Sequence, residues 1–196
     1  MRPERGTFRL VYTGTLWNLT DIDPLVRSIE HLDTVHPELS SRLELVCVGR
    51  KTPEQLAVLN RLRTTSTRLV SIDYCDHSTA LQWLHSASGL CLLLSNVPGA
   101  DRVVPAKLFE YLAVRKDLLS ICPAGETADI ARRFFPHGQF APSQLLQIGD
   151  WLQQRLIKVE TASAELPVDD NALREFSRES QTERLAKVLN SLVASR

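Results

Sequence analysis

The sequence predicts an α/β domain built on a doubly wound parallel sheet of about six strands, a Rossmann-like arrangement with helices on both faces and extra helices at the C-terminal end. Two observations support this prediction. Apolar runs alternate with helical patterns of about ten residues from residue 8 to residue 141. The runs are apolar at consecutive positions, which is typical of strands covered by helices on both faces of a parallel sheet.

The predicted strands share a run of apolar or β-branched residues ended by a turn, and they cover residues 8–14, 43–49, 68–74, 89–95, 117–123 and the short run 139–141. The predicted helices between them share an apolar period of helical spacing or a Pro in the first turn, and they cover residues 21–32, 53–62, 78–87, 105–114 and 126–135. Two further helices finish the chain, and a polar segment at residues 161–170 leads to an amphipathic final helix at 171–194. We expect residues 1–196 to form a single domain.

Right-handed crossovers with a reversal after the third strand predict the strand order 3-2-1-4-5-6. This order places the carboxyl ends of strands one and four side by side, and open α/β sheets bind their ligands in that crevice. We therefore expect residues 14–19 and 95–107 to line the binding site.

Composition argues against several classes of protein. The 196 residues carry 23 basic and 23 acidic side chains, so the overall charge gives no attraction to nucleic acid. The apolar runs are too short to span a bilayer and the N-terminus lacks a signal-peptide pattern, so we expect a cytoplasmic chain. The four cysteines form no CxxC pair and the five histidines show no HxH or HExxH spacing, so no metal site is expected. We expect no cofactor either.

Two turns after predicted strands contain candidate ligand contacts. Gly14 and Thr15 follow the first strand, but GxGxxG and GxxxxGK[ST] are both absent, and a simple strand-exit turn explains Gly14 as well as a close approach to a ligand does. Arg50 follows the second strand in a turn where Thr52 can cap the next helix without any ligand. Arg50 remains a candidate anion contact.

The segment at residues 105–113 is the most informative in the chain, because it follows the fourth strand at the predicted crevice. Lys107 and Glu110 lie one helical turn apart, and an exposed Lys–Glu pair on a helix surface is the simplest interpretation. Their position at the crevice favours a nucleotide instead, since Lys107 suits a phosphate and Glu110 can accept hydrogen bonds from ribose hydroxyls. Arg102 in the preceding loop adds a candidate sugar or phosphate contact.

The chain resembles the C-terminal, nucleotide-sugar-binding domain of GT-B glycosyltransferases of group 1. The most specific match is the block of Lys, two apolar residues, Glu and Tyr-Leu-Ala at residues 107–113. Weaker matches follow the family's order along the chain, at residues 11–16, 48–49, 81–94, 123–125 and 175–179.

The resemblance implies roles for individual residues. Glu110 would hold the ribose of the donor, Gly14 would let its loop approach the donor phosphates, and Lys107 matches the lysine common beside the signature Glu. Two positions depart from the family pattern. The basic residues that normally follow the first glycine are replaced by Thr15 and further uncharged or acidic residues, and the earlier Glu of the family's two-Glu motif is Arg102.

The resemblance also implies the wider function. The donor would be a UDP-, GDP- or ADP-sugar, with Lys107 stabilising the leaving diphosphate in a retaining transfer to an acceptor. Such enzymes work between two domains, so a missing N-terminal acceptor domain is expected as a partner, and membrane contact is expected only through it. The chain alone should not transfer sugar efficiently. A non-catalytic interaction domain of the same fold and half of a sugar-nucleotide epimerase are the alternatives.

Overall fold

The computed structural model of the chain describes residues 3–159 and 169–194. Two compact units divide the chain between Leu166 and Pro167, so these two described stretches belong to different units. The predicted linker at residues 161–170 falls almost entirely outside the described residues.

The first unit contains a six-stranded sheet in which every pairing is parallel and the strand order is 3-2-1-4-5-6, as the sequence predicts. The first five strands end one or two residues earlier than predicted, because the last residues of each run belong to the turn that leaves the sheet. The strands are β1 Phe8–Thr13, β2 Leu43–Val48, β3 Arg68–Ile72, β4 Gly89–Leu93, β5 Asp117–Ile121 and β6 Gln139–Phe140.

Helices connect successive strands, and one further helix of the first unit comes after the last strand. Local capping sets two of their starts, since the Thr52 hydroxyl accepts a hydrogen bond from the Gln55 N–H at 3.4 Å and an Asp76 carboxylate oxygen accepts one from the Thr79 N–H at 2.9 Å. The helices of the first unit are α1 Asp23–Val35, α2 Pro37–Ser40, α3 Pro53–Asn60, α4 His77–Ser86, α5 Lys107–Val114, α6 Glu126–Phe134 and α7 Leu145–Lys158. The second unit consists of α8 Asp170–Arg174 and α9 Arg178–Ala194.

Helix α5 begins two residues later than predicted. Pro105 lies in the preceding turn, where its carbonyl accepts a hydrogen bond from the Leu108 N–H at 3.0 Å. Lys107 is therefore the first residue of the helix.

The two faces of the sheet differ in their packing. One face is apolar, and its fully buried side chains from the central strands, such as Leu10 and Leu45, belong to one cluster with residues of α1 and α7. The other face contains a buried ion pair between Arg9 and Glu44, which occupy opposite positions in the paired strands β1 and β2. The Arg9 guanidinium also lies 5.2 Å from the centre of the Trp83 ring.

Candidate functional site

A cavity of about 340 Å³ lies at the carboxyl ends of the first three strands and beside helices α4 and α5. The sequence predicts a crevice between the ends of β1 and β4, lined by residues 14–19 and 95–107. The cavity is instead displaced towards β2 and β3, because α5 reaches back across the end of β1, and Gly14 and Lys107 are the residues of the predicted lining that take part. Gly14, Lys107 and Glu110 all line the cavity. Three of the six site residues predicted from the sequence are therefore brought together.

Lys107 reaches the end of β1 with its ammonium group. Its Nζ donates to the Tyr12 Oη at 3.0 Å and to the Thr13 carbonyl at 2.9 Å, and it lies 4.4 Å from the centre of the Tyr12 ring. The Tyr12 hydroxyl donates its own proton to the Thr15 carbonyl at 2.8 Å, so it can accept from the lysine. Two of the three ammonium protons are thus engaged, and the third has no acceptor among the described residues.

Burial lowers the pKa of Lys107 from 10.5 to about 8, and the nearby Glu110 carboxylate opposes this shift only in part. The side chain is still mainly protonated at neutral pH. Because its charge has lost much of its water and one N–H has no acceptor in the part of the chain that the structure describes, an anionic oxygen in the cavity would stabilise it.

Tyr111 fixes the orientation of α5. Its Oη accepts a hydrogen bond from the Thr13 N–H at 3.0 Å and lies 3.1 Å from the Thr13 Oγ1. Tyr111 and Lys107 are one turn apart on the helix, so both tie the same face of α5 to the end of β1. Glu110 is exposed, and its side-chain carboxylate makes no hydrogen bond with any described residue. The block singled out in the sequence therefore combines two anchoring side chains with one carboxylate directed to the cavity.

Two glycines of the cavity have positive φ angles and close neighbours, which are the movable end of a lysine side chain at Gly14 and a backbone carbonyl at Gly49. Gly14 has φ = 120°, and a Cβ added there would lie 2.5 Å from the Nζ of Lys107. Gly49 has φ = 127°, and its Cβ would lie 2.3 Å from the Gly14 carbonyl oxygen. Since L-residues rarely adopt these angles, a side chain at either position would be strained as well as obstructed. That Gly14 also lets the loop approach donor phosphates stays a prediction.

The other three predicted residues do not line the cavity. Thr15 is exposed, and its carbonyl also accepts from the Thr20 hydroxyl at 2.6 Å. Arg50 is exposed, and its guanidinium lies over the Tyr74 ring, 5.5 Å from the ring centre. Arg102 is exposed at the end of a short 3-10 turn, Ala100–Arg102. Their participation in ligand binding stays a prediction.

The residues that follow β3 are absent from the site that the sequence predicts. Tyr74, Cys75 and His77 line the cavity, whereas the sequence places Tyr74 at the end of a strand at residues 68–74. The strand ends at Ile72. The available signal was the strand order, because the carboxyl end of the third strand lies at the same edge of a parallel sheet as those of the first and second.

Within residues 3–159 and 169–194, no group of three or more His, Cys, Asp or Glu side chains could hold a metal ion. No helix among these residues is long and apolar enough to cross a membrane.

No protein-family model matches the chain, and a search of curated proteins finds no match either. Solved structures do match. The alpha,alpha-trehalose 6-phosphate synthase from Burkholderia multivorans is 13% identical with a TM-score of 0.67, over 97% of this chain and 43% of that chain. Anabaena HepE, solved in complex with UDP and glucose, is 13% identical with a TM-score of 0.66, over 95% of this chain and 49% of that chain.

A third match is to a domain of similar length. The C-terminal domain of LpcC, a glycosyl transferase group 1 family protein from Francisella tularensis, is 13% identical with a TM-score of 0.59, over 80% of this chain and 78% of that domain. The chain spans less than half the length of the first two matches. These likenesses confirm the predicted fold and its resemblance to the C-terminal-like domain of GT-B group 1 glycosyltransferases.

Proposed function

We propose, from the fold that the chain shares with GT-B group 1 glycosyltransferases, that it is the donor-binding domain of a sugar-transferring enzyme. The observation that carries the proposal is the pairing of Lys107 and Glu110 in one cavity. Among the described residues, one proton of the Lys107 ammonium has no acceptor and the Glu110 carboxylate has no hydrogen-bond donor. A nucleoside diphosphate offers both complements, because its phosphates are acceptors and its ribose hydroxyls are donors.

Each group has a distinct task in this proposal. Lys107 binds a phosphate oxygen, and the N-terminal end of α5, which begins at Lys107, adds its favourable dipole. Glu110 accepts hydrogen bonds from the ribose hydroxyls and positions the donor without reacting. As the bond to the sugar breaks, negative charge grows on the leaving diphosphate, and Lys107 stabilises that charge.

A UDP-sugar is the first donor to test, because the matched HepE was solved with UDP and glucose, and a further match from Escherichia coli was solved with UDP-2-fluoro glucose. GDP- and ADP-sugars are the other candidates. No metal ion or other cofactor is part of the proposal.

Transfer to an acceptor requires a second half of the cleft. We propose that an N-terminal acceptor domain supplies it, that any membrane contact is made through that domain, and that the 196-residue chain alone binds the donor without efficient transfer. The proposed transfer retains the anomeric configuration.

Glu110→Ala is expected to weaken UDP-glucose binding at least about tenfold, because hydrogen bonds to a charged group contribute roughly 1.5–3 kcal/mol each. Stability should change little, since the carboxylate is exposed and forms no hydrogen bond with the described residues. Isothermal titration calorimetry with UDP, GDP, ADP and their glucose conjugates measures the affinity, and thermal unfolding checks the fold.

Glu38→Ala is the matched control, because Glu38 is an exposed carboxylate in α2, which precedes β2 at the opposite edge of the sheet. It should bind UDP-glucose like the unaltered chain. If none of the six compounds binds the unaltered chain, the proposed function is wrong.

A non-catalytic interaction domain is the second candidate function. The observation that favours it is the replacement of the family's basic residues by Thr15 and of its earlier Glu by Arg102. This alternative predicts that the chain binds no nucleotide and that Glu110→Ala leaves partner binding unchanged.

A further inference from the structure

We infer that Tyr74 is the stacking surface for the base of the bound nucleotide, an inference that rests on the proposed function. Tyr74 is the second residue after β3, lines the same cavity as Lys107 and Glu110, and leaves 76% of its surface exposed. A large aromatic side chain exposed at the mouth of a cavity marks a contact surface for a flat or apolar group.

Arg50 supports the ring from one side. Its guanidinium lies over the Tyr74 ring at 5.5 Å from the ring centre, which is the geometry of a cation–π contact. Because the ring is still largely exposed, its opposite face is open. In this inference Arg50 holds the Tyr74 ring in place, while its predicted role as an anion contact stays a prediction.

The strand order indicates which end of the nucleotide lies at which strand. Lys107 donates to the carbonyl of Thr13, the last residue of β1, while Tyr74 follows β3, two strands away. Neighbouring strands are about 4.8 Å apart, so the phosphate and base contacts are separated by roughly 10 Å. A ligand with an anion at one end, hydroxyls in the middle and an aromatic ring at the other end matches this layout. The base therefore lies over the ends of β2 and β3, and the phosphates lie at the end of β1.

Stacking on an aromatic ring depends little on which base is present, because every base has a π-face. Tyr74 is accordingly a positioning residue for UDP, GDP and ADP alike. Inorganic pyrophosphate has no base, so it binds without help from Tyr74.

The test compares UDP and inorganic pyrophosphate as ligands by isothermal titration calorimetry. Tyr74→Ala is expected to weaken UDP binding between about fivefold and about a hundredfold, the range measured for loss of one stacked base, and to leave pyrophosphate binding unchanged. Tyr74→Phe keeps the ring and should keep UDP affinity. Val35→Ala removes part of another exposed apolar side chain, 53% exposed at the end of α1, that does not line the cavity, and it should bind both ligands normally.

The inference is overturned if Tyr74→Ala binds UDP as tightly as the unaltered chain, or if it loses pyrophosphate affinity to the same extent. In the first case the proposed function still holds, because the nucleotide binds without the stack. If UDP, GDP and ADP all fail to bind the unaltered chain, the proposed function and the inference fail together.

Discussion

Lys107→Met is expected to weaken binding of UDP and UDP-glucose about a hundredfold, the largest loss of affinity for any single change at this site. Methionine has a side chain of similar length that fills the space of Lys107 next to Gly14, but it carries no charge and no hydrogen-bond donor. The ammonium of Lys107 is the cation that lines the cavity, and burial has removed much of the water that would otherwise weaken its attraction to a phosphate. Calorimetry at pH 7.5 measures the loss.

The pH dependence of binding is a second readout of the same group. Because burial lowers the pKa of Lys107 to about 8, nucleotide affinity of the unaltered chain should fall as the pH rises above about 8. The terminal phosphate of a nucleotide titrates near pH 6, so it stays fully ionised from pH 7.5 to 10. The difference between the profiles of the unaltered chain and Lys107→Met over this range is the contribution of the lysine, and the variant should show a weaker dependence on pH.

Lys107 also affects folding stability, in the opposite sense. The pKa of Lys107 is about 8 in the folded chain, whereas in the unfolded chain it has its ordinary value of 10.5. Between pH 8 and pH 10.5 the unfolded chain therefore binds more protons than the folded chain. Stability due to this group therefore rises with pH from about 8 to about 10.5, and the full cost of the buried charge is present below pH 8. Urea unfolding should give a larger contribution of this group to the free energy of unfolding at pH 10 than at pH 7.5 in the unaltered chain. Lys107→Met should lack this pH-dependent contribution.

Lys51→Met is the matched control for nucleotide binding. Burial also lowers the pKa of Lys51, and its Nζ donates to the carbonyls of Gly49 at 2.7 Å and Ile72 at 2.5 Å, but it does not line the cavity. Lys51→Met should therefore keep UDP affinity within about threefold. Unchanged UDP affinity in Lys107→Met would contradict the assigned role of Lys107.

Glu44→Ala is expected to lower the free energy of unfolding by about 3–5 kcal/mol, because it leaves the charge of Arg9 buried without its carboxylate. Only 7% of Arg9 and 2% of Glu44 are exposed, and the two side chains form an ion pair across β1 and β2. Arg9 also donates to the Ser86 hydroxyl at 3.1 Å, which cannot replace a carboxylate. Urea unfolding with linear extrapolation measures the change.

Glu30→Ala is the matched control for Glu44→Ala. Glu30 pairs with Arg61 at the surface, where both side chains are about a third or more exposed, and exposed pairs contribute less than about 1 kcal/mol. A further variant with Leu at both position 9 and position 44 removes both buried charges and should recover most of the stability. If Glu44→Ala and Glu30→Ala lowered the free energy of unfolding equally, burial of the ion pair would not explain the loss of stability in Glu44→Ala.

Local patterns were sufficient for the class of fold and the strand order. Runs such as Leu43–Val48 and Gly89–Leu93 are apolar at nearly every position, which only a sheet covered on both faces can bury. Glu44 is the exception within the first of these runs, and nothing in the sequence indicates that Arg9 neutralises it. That pairing depends on the register of β1 against β2, which joins residues 35 positions apart.

The site was only partly predictable for a similar reason. The sequence by itself determined that Lys107 and Glu110 lie on one helical turn after the fourth strand, because helical spacing and the order of elements are local properties of the chain. Only the tertiary structure decided that Lys107 reaches the end of β1, that Arg50 lies over Tyr74, and that Tyr74 lines the cavity. These side chains take their directions from contacts between separate strand ends, such as the bond between Lys107 and Thr13 across 94 positions, and such contacts exist only once the sheet is assembled.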